Sequence, residues 1–146
     1  MKLRATVNGS AFMADAPPTA SLLEVLRGAG LTGAKEGCRI GVCGVCTVLV
    51  DGLPVSSCLY LAGCAQGTEI LTVEGVAERQ PDLIDAFVAC EGMQCGICTP
   101  GQVVTAASMG PDVGGEAAIR RYLSGNLCRC TGYASIVEAA ETSRAR

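Results

Sequence analysis

Four cysteines fall in one short stretch, Cys38-Arg-Ile-Gly-Val-Cys43-Gly-Val-Cys46, followed by Cys58. Four residues separate the first two thiols and two separate the next pair, the plant-type spacing that holds a 2Fe-2S cluster. A cluster needs four thiolates converging on two irons, and a straight helix or strand cannot deliver three of them from so short a run. The backbone has to curl, and Gly37, Gly41 and Gly44 supply the dihedral freedom for it. Amide N–H groups in such a loop can point at the sulfurs and stabilise their charge. Cys38, Cys43, Cys46 and Cys58 form the first candidate ligand set.

A second group lies toward the C-terminus, Cys95-Gly-Ile-Cys98 with Cys128-Arg-Cys130. A C-x2-C pair with a further cysteine pair also reads as a structural zinc site. Two features count against zinc. One residue separates Cys128 from Cys130, where zinc pairs usually have two to four, and a 2Fe-2S spacing already stands in the same chain. Thr99-Pro100 follows Cys98 at once and Thr131 follows Cys130 at once, so both pairs are expected against helix N-termini. The positive ends of two helix dipoles would then face an anionic cluster. Cys64 and Cys90 fall outside both sets and read as small buried apolar residues.

Ten cysteines in 146 residues, with no histidine, also raise a disulfide framework. The N-terminal run Met-Lys-Leu-Arg-Ala-Thr-Val-Asn-Gly has no apolar signal core, and no stretch has the length of a membrane span. A reducing, cytoplasmic setting is expected, where cysteine clusters bind metal more often than they bridge. The net charge of −3 brings no basic patch of the kind nucleic acid requires. Two oxidised clusters with their thiolates, each carrying roughly −2, would take the loaded chain to about −7. With three Tyr, two Phe and no Trp, large side chains for a core are few, and metal clusters would serve as staples for two small units. The mean hydropathy of +0.39 points to apolar surface buried against partners.

The elements that must hold these cysteines can be read in order. A strand from Lys2 to Val7 turns at Asn8-Gly9 into a second strand, Ser10 to Ala14. Ser21 and Glu24 form a capping box for a helix carrying Leu22, Leu23, Val25 and Leu26, closed by Gly28 and Gly30. After the cysteine loop, Thr47 to Val50 reads as a buried strand, turned by Asp51-Gly52 into Leu53 to Val55. A short helix from Leu59 to Ala65 and a last strand from Glu69 to Val73 are expected, then a polar segment, 76–80, leading to Pro81. From there the pattern is helical: Asp82 to Cys90 with Leu83, Ile84, Phe87 and Val88 inward, Thr99 to about Met109, Glu116 to Leu123, and about Tyr133 or Ser135 to Ala145. Thr99 as cap, Pro100 and Gln102 predict a second capping box.

The runs Lys35-Glu-Gly-Cys38, Cys43-Gly-Val-Cys46-Thr-Val, Gln94-Cys-Gly-Ile-Cys-Thr-Pro-Gly101 and Gly125-Asn-Leu-Cys-Arg-Cys-Thr-Gly-Tyr133 together resemble the small iron-sulfur subunit of the molybdenum hydroxylases. This is the family of xanthine dehydrogenase, aldehyde oxidoreductase and carbon monoxide dehydrogenase. The resemblance covers nearly the whole chain. It implies an α+β fold: an N-terminal plant-type ferredoxin-like (β-grasp) domain, residues 1–76, then an all-α four-helix-bundle 2Fe-2S domain, residues 77–146.

It also implies an electron-transfer role between two partners, a large subunit with molybdopterin and molybdenum and a medium subunit with FAD, in a heterotrimer or a dimer of heterotrimers. The reaction served would be hydroxylation of an N-heterocycle or aldehyde, or oxidation of carbon monoxide. No catalytic residue or substrate pocket is expected on this chain. Cys95, Cys98, Cys128 and Cys130 match the ligands of the cluster near the pterin; Cys38, Cys43, Cys46 and Cys58 match those of the cluster toward FAD. Gln94 and Cys130 match positions that contact the pterin.

Arg39 stands where the family often has glycine, and Ile97 where an aromatic is common. Arg39 reads as a solvated side chain whose charge would favour the reduced cluster. Arg129 could pair with a partner carboxylate or with solvent. Two rivals remain: a free-standing ferredoxin-type carrier, which needs only one cluster, and a zinc-stabilised interaction module, which would be redox-silent.

Overall fold

Asn8 and Gly9 both take positive φ, 52° and 84°, the geometry of a two-residue hairpin turn that matches the strand twist. They fold β1 (Lys2–Val7) onto β2 (Ser10–Asp15) in antiparallel register from Lys2↔Asp15 to Val7↔Ser10. The computed structural model describes residues 1–144, so the expected end of the last helix at Ala145 lies outside the described residues. Asp51 and Gly52, with φ of 48° and 80°, make the same turn between β3 (Thr47–Val50) and β4 (Leu53–Ser56). With β5 (Glu69–Leu71) these strands form one mixed sheet in the order β2-β1-β5-β3-β4, in which β1 and β5 are parallel.

The capping box of α1 (Leu22–Gly28) forms as expected: the Glu24 amide donates to Ser21 Oγ at 3.2 Å, and the Ser21 amide donates to Glu24 Oε2 at 2.8 Å. Its leucines pack with Leu3, Val7, Val48, Val50 and Ile70 into one core. All four residues of β3 are buried, and the period of two decides where each goes. Val48 and Val50 join the first core while Leu49 joins a second one on the opposite face. The sheet is therefore a wall shared by two apolar interiors.

The second interior is built by helices α2 (Val73–Arg79), α3 (Pro81–Ala89), α4 (Thr99–Ala107), α5 (Glu116–Tyr122) and α6 (Ala134–Arg144). Gly101 to Ala106 of α4 are all buried, so α4 runs through the middle, against β3 on one side and α2 on another. Phe87, Val104, Ile119, Leu123 and Ile136 fill the space around it. No helix among the described residues is long and apolar enough to cross a membrane.

Several local expectations are corrected. The expected strand Glu69–Val73 stops at Leu71, and the segment read as a polar lead to Pro81 is mostly α2. Long-range contacts hold that helix: the Thr72 amide donates to Asn8 Oδ1 at 2.9 Å, and Glu74 Oε1 accepts from the Gly33 amide at 2.8 Å. The expected helix Leu59–Ala65 is a 3-10 turn over Ala62–Ala65. The residues before it are paired instead, Leu22 N to Tyr60 O at 2.7 Å and Ala62 N to Ala20 O at 2.9 Å.

The capping box of Thr99 and Gln102 does not form. Cys98 is the N-cap of α4, and Gln102 is buried with its Nε2 donating to the Asn126 carbonyl at 2.7 Å. On α3, Val88 faces solvent and Ala86 takes the inward place expected of it.

Candidate metal centres

Positive φ at Arg39, Gly41 and Gly44 (57°, 73° and 70°) curls the backbone between Gly37 and Cys46. The amides of Ile40, Val42 and Cys43 then converge on Cys38 Sγ, each at 3.4 Å. Cys43 contacts Cys38 through its thiol, and Cys46 contacts Cys58, which the β3–β4 hairpin returns over the loop. At the second location Cys130 Sγ lies 3.5 Å from Cys95 Sγ, and Cys98 meets Cys128. The eight thiols predicted from spacing therefore come together as four pairs, two pairs at each location.

Pairs suit a binuclear cluster, in which four thiolates are shared between two irons. The donor set, thiolates in amide-rich loops, fits 2Fe-2S at both places. The two loops also touch: the Leu127 amide donates to the Cys43 carbonyl at 2.9 Å. Gly101, at the start of α4, sits so close to Gly44 that a Cβ there would strike the Gly44 carbonyl.

The family model for a 2Fe-2S iron-sulfur cluster binding domain matches residues 5–63, and that for a [2Fe-2S] binding domain matches residues 72–141. The xanthine dehydrogenase iron-sulfur-binding subunit of Escherichia coli O157:H7 is 45% identical, over 92% of this chain and 89% of that one. The nicotinate dehydrogenase small FeS subunit of Eubacterium barkeri is 46% identical over 89% of this chain and 86% of its own. A chain of quinoline 2-oxidoreductase from Pseudomonas putida 86 superposes with a TM-score of 0.94 at 41% identity, covering 99% of this chain and 94% of that one. The chain belongs to the small iron-sulfur subunits of the molybdenum hydroxylase family. It is an electron-transfer subunit of a multi-subunit oxidoreductase and binds two 2Fe-2S clusters.

The electrostatics of this iron-sulfur subunit prepare its thiols unequally. The amides of Ile40, Cys43 and Val42 hold the Cys38 thiol down at about 6. Burial pushes Cys58 up to about 11, and burial with the neighbouring Cys128 pushes Cys98 up to about 12. At Cys128 burial acts upward but is overcome by hydrogen bonds from Thr131 and the Cys130 amide, leaving the thiol at about 7. Hydrogen bonding to Cys95 raises Cys130.

From sequence, Thr131 and Tyr133 are read only as markers of a helix start, not as partners of Cys128. Thr131 Oγ1 lies 3.3 Å from Cys128 Sγ, and the Tyr133 hydroxyl accepts the Cys128 amide at 2.8 Å. Both stand in the Gly125–Tyr133 run, but their reach depends on left-handed turns at Gly132 and Tyr133, with φ of 65° and 70°. Those turns also separate Cys130 from α6, which begins at Ala134. Direct contact of a ligand pair with a helix N-terminus is thus found at Cys98 and not at Cys130.

Gln94, Cys95, Ile97 and Cys130 are exposed together, so the second location opens on the surface of the subunit. Cys90, read as buried, is half-buried, packed against the edge of the helical core. Cys64 is exposed, against expectation, because Ala62 and Ala65 take the inward positions of its 3-10 turn. Arg39 is exposed and pairs with Glu36 at 2.6 Å.

Proposed function

We propose that Cys38, Cys43, Cys46 and Cys58 ligate one 2Fe-2S cluster and that Cys95, Cys98, Cys128 and Cys130 ligate the other. The observation that carries this reading is the pairing of eight thiols at two places, in loops whose amides or hydroxyls face the sulfurs. When bound, the clusters supply single-electron steps between a molybdopterin centre in a large subunit and FAD in a medium subunit. The exposed location serves the pterin side, where Gln94 and Cys130 contact that cofactor, and the Cys38 loop serves the flavin side. The complex is a heterotrimer or a dimer of heterotrimers in the cytoplasm.

The substrate class we favour is an N-heterocycle, on the names of relatives that act on nicotinate, caffeine and nicotine. The division of this chain at residues 76 and 77 is part of the same proposal. It is supported by two separate apolar cores, although α2 runs across it.

Iron and sulfide analysis of the complex purified from its host, with electron paramagnetic resonance of the reduced form, tests the assignment. About four irons per chain and two distinct signals are expected. Cys95→Ser should abolish or alter one signal and Cys43→Ser the other. A single signal, or zinc in place of iron, would overturn the reading.

A further inference from the structure

Asn126 stands two residues before Cys128 and is 4% exposed. Its side chain reaches across to the first cysteine loop, where Nδ2 donates to the Gly44 carbonyl at 2.9 Å and to Thr47 Oγ1 at 3.1 Å. From the helical side, Thr105 Oγ1 donates to Asn126 Oδ1 at 2.9 Å and Gln102 Nε2 donates to the Asn126 carbonyl at 2.7 Å. Thr47 Oγ1 also donates to the Gly44 carbonyl, at 2.7 Å. Thr47, Gln102 and Thr105 are themselves buried.

A side-chain amide has two N–H donors and one carbonyl acceptor, and at Asn126 each kind of group is engaged. Polar networks of this sort are costly when half-satisfied and therefore select one geometry. An aliphatic side chain of similar size would leave the Thr105 hydroxyl without its partner and strip Gly44 of a donor, and buried groups left so are penalised. The geometry being selected is that of two loops. The Leu127 amide, next in sequence, donates to the carbonyl of Cys43, so the latch sets how the chain before Cys128 lies on the chain after Cys43.

We propose that Asn126 is a positioning residue for electron transfer, keying the Cys128–Cys130 loop to the Cys43–Cys46 loop and so fixing the separation of the two centres. This rests on the ligand assignment proposed above. A purely stabilising Asn126 would change the melting temperature without moving one loop against the other, so one geometric readout and one local readout at the seam separate the roles. One is the mutual magnetic splitting of the two reduced clusters in the complex. The other is amide exchange of the peptide containing Leu127, which needs no cluster.

Asn126→Leu and Thr47→Val should weaken or abolish the splitting and speed Leu127 exchange by about tenfold, the loss expected of one net hydrogen bond. Ile119→Val, a truncation in the helical core, should change neither. Splitting and exchange unchanged in both seam variants would overturn the proposal, and Thr47→Val decides alone should Asn126→Leu fail to fold. A native complex without two signals would instead overturn the ligand assignment, and Leu127 exchange would then decide the latch: exchange as in the unaltered chain overturns it.

Discussion

A left-handed backbone is disfavoured for a residue with a Cβ, and Arg39 holds φ at 57° beside the first cysteine loop. Glycine accepts that conformation freely, so Arg39→Gly should fold at least as well as the parent. Its electrostatic effect runs the other way. The substitution removes a cation beside the loop and leaves the Glu36 carboxylate, 2.6 Å away in the ion pair, uncompensated. Reduction adds negative charge, so the potential of the centre at Cys38 should fall; a redox titration with no downward shift would remove the idea.

Thr131 offers an independent probe at the other centre. Its hydroxyl lies 3.3 Å from Cys128 Sγ, and a hydrogen bond to a ligand sulfur favours the more negative, reduced state. Thr131→Val should lower the potential of the second centre while leaving the first in place, and equal movement of both would contradict it. The candidate cysteines were legible because their spacing is local. Thr131 was not, because its role depends on left-handed turns at Gly132 and Tyr133.

At the scale of elements, the cysteine loops are placed by contacts that leave no room. A Cβ on Gly101 would collide with the Gly44 carbonyl, and overpacking of that kind costs about 1–3 kcal/mol. Gly101→Ala should lower the thermal midpoint correspondingly, whereas alanine at Gly28, where a Cβ meets nothing within 4 Å, should not. Helix α2 has a pH signature. Burial raises the Glu74 pKa, but hydrogen bonds from Thr72, its own amide and Gly33, with Lys35 nearby, overcome this and hold it below the ordinary value.

A depressed carboxylate stabilises the fold above its unfolded pKa, and that stability is lost as pH falls through the folded one. Glu74→Gln should therefore destabilise the chain near neutrality and lose the part of its acid sensitivity that lies below about pH 4.5. Equal acid sensitivity in parent and variant would contradict this. These contacts also explain what sequence could and could not show. Asn8-Gly9, Asp51-Gly52 and the Ser21–Glu24 box are local signals and formed as read. Helix α2 carries a glycine inside seven residues and is held by Asn8 and Gly33 from far along the chain. The Thr99–Gln102 box failed because Asn126 engages the glutamine.

At the scale of the whole subunit, electrons must enter at one centre and leave at the other, and apolar side chains rim the two places separately. Ile40, Val42 and Leu59 are exposed around the first cysteine loop and Met93 and Ile97 around the second, with Leu127 exposed at the seam where the two loops touch. Apolar residues gathered at a functional rim mark contact surfaces, and burying a carboxylate in such a contact is costly. Under the proposed assignment, the rim at Ile97 meets the molybdopterin subunit and the rim at Leu59 meets the flavin subunit. Ile97→Asp should therefore yield a complex that keeps flavin and loses molybdenum on size-exclusion chromatography, and Leu59→Asp should do the reverse. Because each substitution is on an already exposed side chain, neither should lower the melting temperature of the isolated subunit by more than a small amount. Loss of the same partner in both variants would mean that one subunit covers both rims, and the two-sided arrangement would have to be given up.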